Sequence, residues 1–222
     1  MGLFKKKQKK EDKIPDEKIE RLRQDLLSKD YDTRNSVRSQ AEHAAGRKEY
    51  SSFEQAYQAN LKLDEAVKYQ GPGQTSVDLC KEAIRLVPNF SAAHAYLAYL
   101  YRNFYNKHDL AIKCAQKAIE IDPKNEYAWH ELGMAYVNLE SAVDATKSFR
   151  KAILLNPEIK NTEPYGRLEH VYDFLGMQDQ AYKCRERLAR FGHMLEPSHA
   201  RQWQKIILKT DRQKLRNAAI SE

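Results

Sequence analysis

Trp129-x-x-Leu132-Gly133-x-x-Tyr136, followed by Ala145-x-x-x-Phe149-x-x-Ala152 and closed by Asn156-Pro157, is the stretch that decides the fold of this chain. Leu132, Gly133 and Tyr136 fall at helical spacing on one side of a helix, and a glycine there lets a second helix approach closely. Ala145, Phe149 and Ala152 form a matching small-large-small stripe on the next helix. Only Leu139-Glu140-Ser141 separates the two patterns, room for no more than a tight turn, so the helices are antiparallel neighbours. Pro157 cannot continue the second helix and biases Asn156 away from helical angles, which ends the unit.

Weaker copies lie on either side. Upstream, Leu97-Ala98-x-x-Tyr101, Ala111, Ala118 and Asp122-Pro123 repeat the pattern, with one residue added in the turn around Asn106-Lys107-His108. Downstream, Leu168, Tyr172, Gly176, Ala181 and Leu188 repeat it again, with the extra length in the linker Pro157-Glu158-Ile159-Lys160-Asn161-Thr162. Insertions confined to turns and linkers are what real helices require. A fourth, degenerate hairpin over 51–90 keeps Ser76, Cys80, Ala83 and Pro88 on its second helix. Its first helix lacks the Leu-Gly-Tyr core, and its turn is the long Gln70-Gly71-Pro72-Gly73-Gln74.

Trp129 to Pro157 resembles the tetratricopeptide repeat family, whose W-x-x-L-G-x-x-Y…A-x-x-x-F…P signature it matches almost in full. The resemblance implies an all-α, right-handed α-solenoid of antiparallel helix hairpins. Three clear units are expected at 91–124, 125–160 and 161–194, after the degenerate one. Ahead of them, Pro15-Asp16-Glu17 opens a helical N-terminal extension over 15–50, packed through Ile19, Leu22, Leu26 and Leu27. Behind them, a C-terminal capping helix over 195–218 begins near Pro197-Ser198 and puts Trp203, Ile206, Ile207 and Thr210 on one face, to cover the last hairpin. Residues 1–14 read as a basic disordered tail and 219–222 as a short tail.

Composition fits such an array: 222 residues, 41% hydrophobic and 31% charged, with 8 Gly and 7 Pro placed mostly where helices end. The net charge of +7 is unevenly placed. Residues 1–13 carry +4 and residues 201–216 carry +5, whereas 14–200 contribute −1. The basic character is therefore in the ends. Lys5, Lys6 and Lys7 follow the apolar Leu3-Phe4, and Arg201, Lys205 and Lys209 line the second face of the capping helix, so both ends are candidate anion-binding segments for nucleic acid or an anionic membrane surface. Lys6 stands where myristoylation of Gly2 needs Ser or Thr.

If the family geometry holds, the first helix of each hairpin lines a concave groove that takes a partner peptide or helix. Turning the Leu-Gly-Tyr face inward leaves Tyr99, Arg102 and Asn103 from one hairpin toward that groove. Tyr127, His130, Met134 and Asn138 come from the next, and His170 and Asp173 from the last. Aromatic bodies with hydrogen-bonding tips suit an extended peptide. The plainer reading of the same residues is solvated helix positions. The subclass that clamps a chaperone's terminal carboxylate uses spaced Lys, Asn and Arg on successive first helices, and here Tyr99, Met134 and His170 stand in the comparable places.

Enzyme chemistry finds no foothold. Phosphate-binding GxxxxGK, HExxH, nucleophile-elbow and Gly-rich dinucleotide motifs are all missing. His94, His130 and His170 have neither a carboxylate set nor regular ligand spacing, so no metal or cofactor is expected. Cys80, Cys114 and Cys184, an odd count without a CxxC pair, read as small buried residues in a reducing compartment. The Asn89-Phe90-Ser91 sequon follows no apolar leader and reads as chance, and no run of about 18 apolar residues suggests a membrane span. The sequence thus points to a non-enzymatic cytoplasmic scaffold, adaptor or assembly factor that binds a protein through its groove. The alternative is a helper held to RNA or a membrane surface by its basic ends.

Overall fold

In the computed structural model, residues 14–28, 30–44, 51–69, 74–158, 161–191 and 197–220 are described, and the regular elements among them are all helices. The basic segment with Lys5, Lys6 and Lys7 lies outside the described residues, as do the turn at 70–73 and the start of the expected capping helix before 197. The helices are α1 (Asp16–Leu26), α2 (Tyr31–Ala44), α3 (Ser51–Lys68), α4 (Gln74–Leu86), α5 (Ser91–Tyr105), α6 (His108–Ile121), α7 (Glu126–Asn138), α8 (Ala142–Leu155), α9 (Glu163–Leu175), α10 (Gln178–Phe191), α11 (Pro197–Lys209) and α12 (Arg212–Ile220). They form an α-solenoid: α3–α4, α5–α6, α7–α8 and α9–α10 pair as hairpins, and each second helix packs on the first helix of the next pair.

Within a hairpin, the glycine in the motif does what its spacing demands. A Cβ added to Gly133 would lie 2.6 and 2.7 Å from ring carbons of Phe149, which is itself fully buried. α7 and α8 therefore meet at a distance only glycine permits. Among the described residues, each of the three turns within a hairpin has a residue in the left-handed conformation: Asn106 has φ 50°, Glu140 φ 55° and Gly176 φ 75°. After Gly176 the Met177 N–H returns to Tyr172 O, and after Glu140 the Ser141 N–H returns to Tyr136 O, the same helix-ending motif twice. At Asn106 the returning bond spans one residue more, Lys107 N–H to Tyr101 O, which absorbs the added residue in that turn.

Between hairpins, polar side chains fix the entry of each first helix. Asn125 caps α7 by accepting from Ala128 N–H at 3.0 Å and donates to Ser91 Oγ at 2.8 Å; Ser91 in turn donates to Ala118 O at 2.9 Å. All three links are buried, so the starts of α5 and α7 and the end of α6 are tied at one point.

The C-terminal segment departs from a single capping helix. Asp211 accepts from Lys214 N–H at 2.7 Å and starts a new helix, so α11 and α12 are separated by Thr210-Asp211. Trp203, Ile206 and Ile207 of α11 are buried, with the Trp203 indole N–H donating to Arg167 O at 2.9 Å. The chain then returns: Leu215, Ala218 and Ala219 of α12 bury against α8 and α9, and Arg150 donates to Ala218 O at 3.1 Å. At the other end, α1 and α2 close over α3 through Ile19, Leu22, Leu26, Val37 and Phe53. Asn60 donates to Leu26 O at 2.9 Å, and the buried Asp64 pairs with both Arg34 and Arg38.

Candidate interaction surface and its buried polar seam

The first helices of successive hairpins are joined by a chain of ionic and polar side chains. Arg102 of α5 donates through Nε and Nη2 to Glu131 Oε2 of α7 at 3.0 and 2.9 Å. The other carboxylate oxygen of Glu131 lies 3.1 Å from His130 Nδ1. His130 Nε2 lies 3.1 Å from Asn161 Nδ2 and 4.0 Å from Glu163 Oε2, at the entry to α9. These partners fit the tautomer with the proton on Nδ1, donating to Glu131, while Nε2 accepts from the Asn161 amide. Glu163 then receives Arg167 Nη2 at 3.0 Å, and Arg167 reaches α11 through His199 O at 3.4 Å. Glu131 is 1% exposed, His130 3% and Arg167 3%, so these links are internal, while Asn161 is exposed and Glu163 half-buried at the entry to α9.

Electrostatics within it are mutually supporting. Burial alone would raise the Glu131 carboxyl, but the Arg102 cation and the hydrogen bond from His130 outweigh it and hold Glu131 below the usual carboxylate range. The Tyr127 hydroxyl is pushed well up, first by burial and then by the Glu131 charge.

This arrangement corrects part of the expected groove lining. Arg102 and His130 point into the seam between hairpins, and Met134 is 7% exposed within the core shared by α7, α9 and α11, so none of the three faces an open groove. Asp173 turns toward its own partner helix and pairs there with Arg185 of α10, which also binds Glu169 at 2.8 Å. Asn103 and Asn138 are exposed, and Tyr99, Tyr127 and His170 are half-buried. Tyr99 stacks on Tyr96 at 5.5 Å between centroids and meets Phe104 edge-on, and Tyr127 stacks on His130. Asn138 reaches His108 at 3.3 Å, and His170 sits 3.5 Å from Gln204 of α11. Arg201, Lys205 and Lys209 are exposed on α11. Trp129, which opens the repeat motif, is only partly buried.

The N-terminal extension reaches the same face. Arg34 of α2 lines a small cavity of about 80 Å³ together with Leu63 of α3, Tyr96 of α5 and Tyr127 of α7. Three first helices and α2 thus meet there, and the lining of the face at that level includes the chain's own extension.

Sequence reasoning missed Glu131, Glu163, Arg167 and Asn161, which complete the seam. A signal was present: Tyr96, Glu131 and Arg167 each immediately precede the repeat leucine, Leu97, Leu132 and Leu168, and all three are buried. That place faces the neighbouring hairpin, so a charge there needs a partner on it.

Family models described as tetratricopeptide repeat match residues 93–125 and residues 114–146. The chain carries tetratricopeptide repeats. One match runs along α5–α6 and the other from α6 through α7, so both frames of the tetratricopeptide repeat are recognised. Among curated proteins, Superkiller complex protein 3 of Homo sapiens is 40% identical over 72 residues, 31% of this chain and 5% of that protein. The Mus musculus protein of the same name is 34% identical over 95 residues, 41% of this chain and 6% of its own length. The chain thus matches only a small fraction of these relatives' length. Solved structures of MamA align with a TM-score of 0.48 at 16% identity, covering 82% of this chain and all of that one, and with 0.45 at 19%, covering 79% and 99%. Among the described residues no cluster of three metal-ligating side chains occurs, and no helix is long and apolar enough to cross a membrane.

Proposed function

We propose that this chain is a non-enzymatic protein-interaction scaffold, an adaptor or assembly factor, that binds a partner peptide or helix along the open strip of its first helices. The observation that carries this reading is the repeat array itself, whose polar first-helix positions Asn103 and Asn138 stay exposed beside the half-buried aromatic rings of Tyr99 and Tyr127. Amide tips next to aromatic faces satisfy a peptide's backbone while burying its side chains. The matched relatives are, by name, parts of a complex, which supports the assembly reading. The strip is narrower than the sequence implied, because Arg102, His130 and Met134 are internal.

The test is proximity labelling in cells, comparing the parent chain with a variant carrying Tyr99→Ala, Asn103→Ala and Asn138→Ala. The Arg102–Glu131 pair is untouched, but Asn103 accepts from Arg102 Nη1 at 2.8 Å and the Tyr99 ring lies against that guanidinium, so circular dichroism first checks that the variant keeps the parent's helicity. Loss of a discrete set of labelled proteins supports the groove; an unchanged set removes it.

The exposed row of Arg201, Lys205, Lys209 and Arg216 on α11 and α12 favours one second reading, an anionic surface held by the C-terminal end. Binding to phosphates falls steeply as salt rises, whereas peptide binding in the groove does not. RNA or anionic-vesicle binding that survives neutralising Arg201, Lys205 and Lys209 rules it out.

A further inference from the structure

A second recessed surface opens between α8 and α9. It is a pocket of about 540 Å³ with Leu168 and Tyr172 of α9 as its floor and the Trp129 ring as one wall. Leu154, 66% exposed, stands at its lip. Lys147, Arg150 and Lys151 complete the rim. Lys147 lies three and four residues before Arg150 and Lys151, and Leu154 four and three after them, so one side of α8 presents three cations and an apolar side chain. Lys147 and Lys151 form no ion pair among the described residues, and Arg150 is held in place by Ala218 O of α12.

Three cations gather around this apolar recess, although residues 14–200 together carry a net charge of −1. Like charges at neighbouring turns repel one another and are relieved by an anion seated among them. The recess gives that anion an apolar anchor. Lys147 and Lys151 are about 6 Å apart along the helix axis, about one turn, which matches carboxylates one turn apart on a facing helix. We infer that this pocket is a docking site for an acidic amphipathic helix of a protein partner, which inserts a bulky apolar side chain over Leu168 and Tyr172 and sets Asp or Glu side chains against Lys147, Arg150 and Lys151. It is a different surface from the first-helix strip: none of its lining residues belongs to the proposed groove, so the two sites are separable by mutation.

The chain has only two tryptophans, and they provide the readout. Trp129 walls the pocket with its indole N–H on Pro123 O, while Trp203 of α11 is fully buried with its indole N–H on Arg167 O of α9. A displayed library of random peptides is selected on the parent chain, and the enriched consensus peptide is synthesised, labelled for fluorescence anisotropy and titrated while the two indole N–H signals are followed by NMR. The expected consensus places Asp or Glu one turn either side of Leu, Phe or Trp. Its addition moves the Trp129 signal and leaves Trp203 still. Charge reversal, Lys147→Glu with Lys151→Glu, weakens binding by about tenfold or more, and Leu154→Asp does the same. Tyr99→Ala leaves it unchanged. Lys147 and Leu154 are exposed and Lys151 and Tyr99 are partly so, and circular dichroism checks that each variant keeps the parent's helicity. The inference is overturned if selected peptides show no acidic-apolar bias, if their binding is lost with Tyr99→Ala but not with the α8 variants, or if oleate rather than any peptide moves the Trp129 signal, which would make the occupant a lipid carboxylate.

Discussion

Replacing Glu131 by alanine tests the seam most directly. The carboxylate is 1% exposed and takes two hydrogen bonds from Arg102, at 3.0 and 2.9 Å, and one from His130 at 3.1 Å. Its removal strands a guanidinium that is 9% exposed and leaves the Nδ1 proton of His130 unmatched. Deleting one member of a buried ion pair costs about 3–5 kcal/mol, so Glu131→Ala is expected to lose that much. Glu131→Gln keeps the shape and one acceptor and loses about 1–3 kcal/mol. Replacing both charges, Arg102→Met with Glu131→Leu, removes the desolvation cost along with the attraction and stays within about 1–2 kcal/mol of the parent. The sign with pH follows from the depressed carboxyl: its stabilisation is present above the unfolded value of about 4.3 and disappears as pH falls through the lower folded value. Urea titrations followed by far-ultraviolet circular dichroism, at neutral pH and in the acid range, measure all three variants. Because repeat hairpins couple mainly to their neighbours, the loss shows as a lower and broader transition. A Glu131→Ala chain as stable as the parent, or a double variant as unstable as the single, would refute the reasoning.

Three further outcomes follow from the packing. Gly133→Ala drives a methyl into the Phe149 ring and costs about 1–3 kcal/mol against about 1 kcal/mol of gained helix propensity. Combined with Phe149→Leu the two losses should be less than additive by about 1 kcal/mol, and strict additivity in chemical denaturation counts against the close approach. Glu140 holds a left-handed turn at φ 55°, so Glu140→Gly should stabilise by about 0.5–1 kcal/mol and raise the thermal midpoint by about 2–4 °C per kcal/mol; a fall in midpoint would contradict this. Burial pushes the Cys80 and Cys184 thiols up to about 12 and Cys114 to about 11, so a thiol reagent should label the native chain slowly near about pH 8 and the urea-unfolded chain fast, and prompt native labelling would show the thiols are accessible.

The hairpins were legible because each rests on local contacts that a spacing can encode. Gly133 against Phe149, the turn lengthened at Asn106 and the helix end at Gly176 all follow from residues close in the chain. The site was harder to read, for a geometric reason. A first helix in a solenoid is covered on three sides: by its own partner, by the preceding hairpin and by the following one. Turning the Leu-Gly-Tyr face inward fixes only the first of these. Arg102, His130 and Met134 then point at neighbouring hairpins, and Asp173 is drawn back by Arg185, so only a strip near Asn103 and Asn138 stays open. The break at Thr210-Asp211 was equally hidden, since the apolar spacing of Trp203 and Ile207 continues into a plausible single helix until Asp211 caps a second one.

The longer linker before α9 explains where the charges went. α5 packs directly on α7, whereas α7 and α9 approach far less, and the space between them holds His130, Asn161, Glu163 and Arg167. Along that path the charges pair as Arg102 with Glu131 and Arg167 with Glu163, with His130 standing between the two carboxylates. Against an apolar filling of equal volume such a path contributes little net stability, because desolvation offsets most of the attraction. What it contributes is selectivity among otherwise similar hairpins. Glu131 and Arg167 stand at the same place in successive repeats, so docking α5 against α9 in place of α7 would bury Arg102 beside Arg167. Glu163, already bound to Arg167 at 3.0 Å, would then be the one carboxylate facing two guanidinium groups, a costlier arrangement than one carboxylate for each. The short linkers keep consecutive hairpins adjacent, and charge adds a preference for the native pairing of α5 with α7, where the repeated Leu, Ala and Tyr positions alone do not distinguish one neighbour from another.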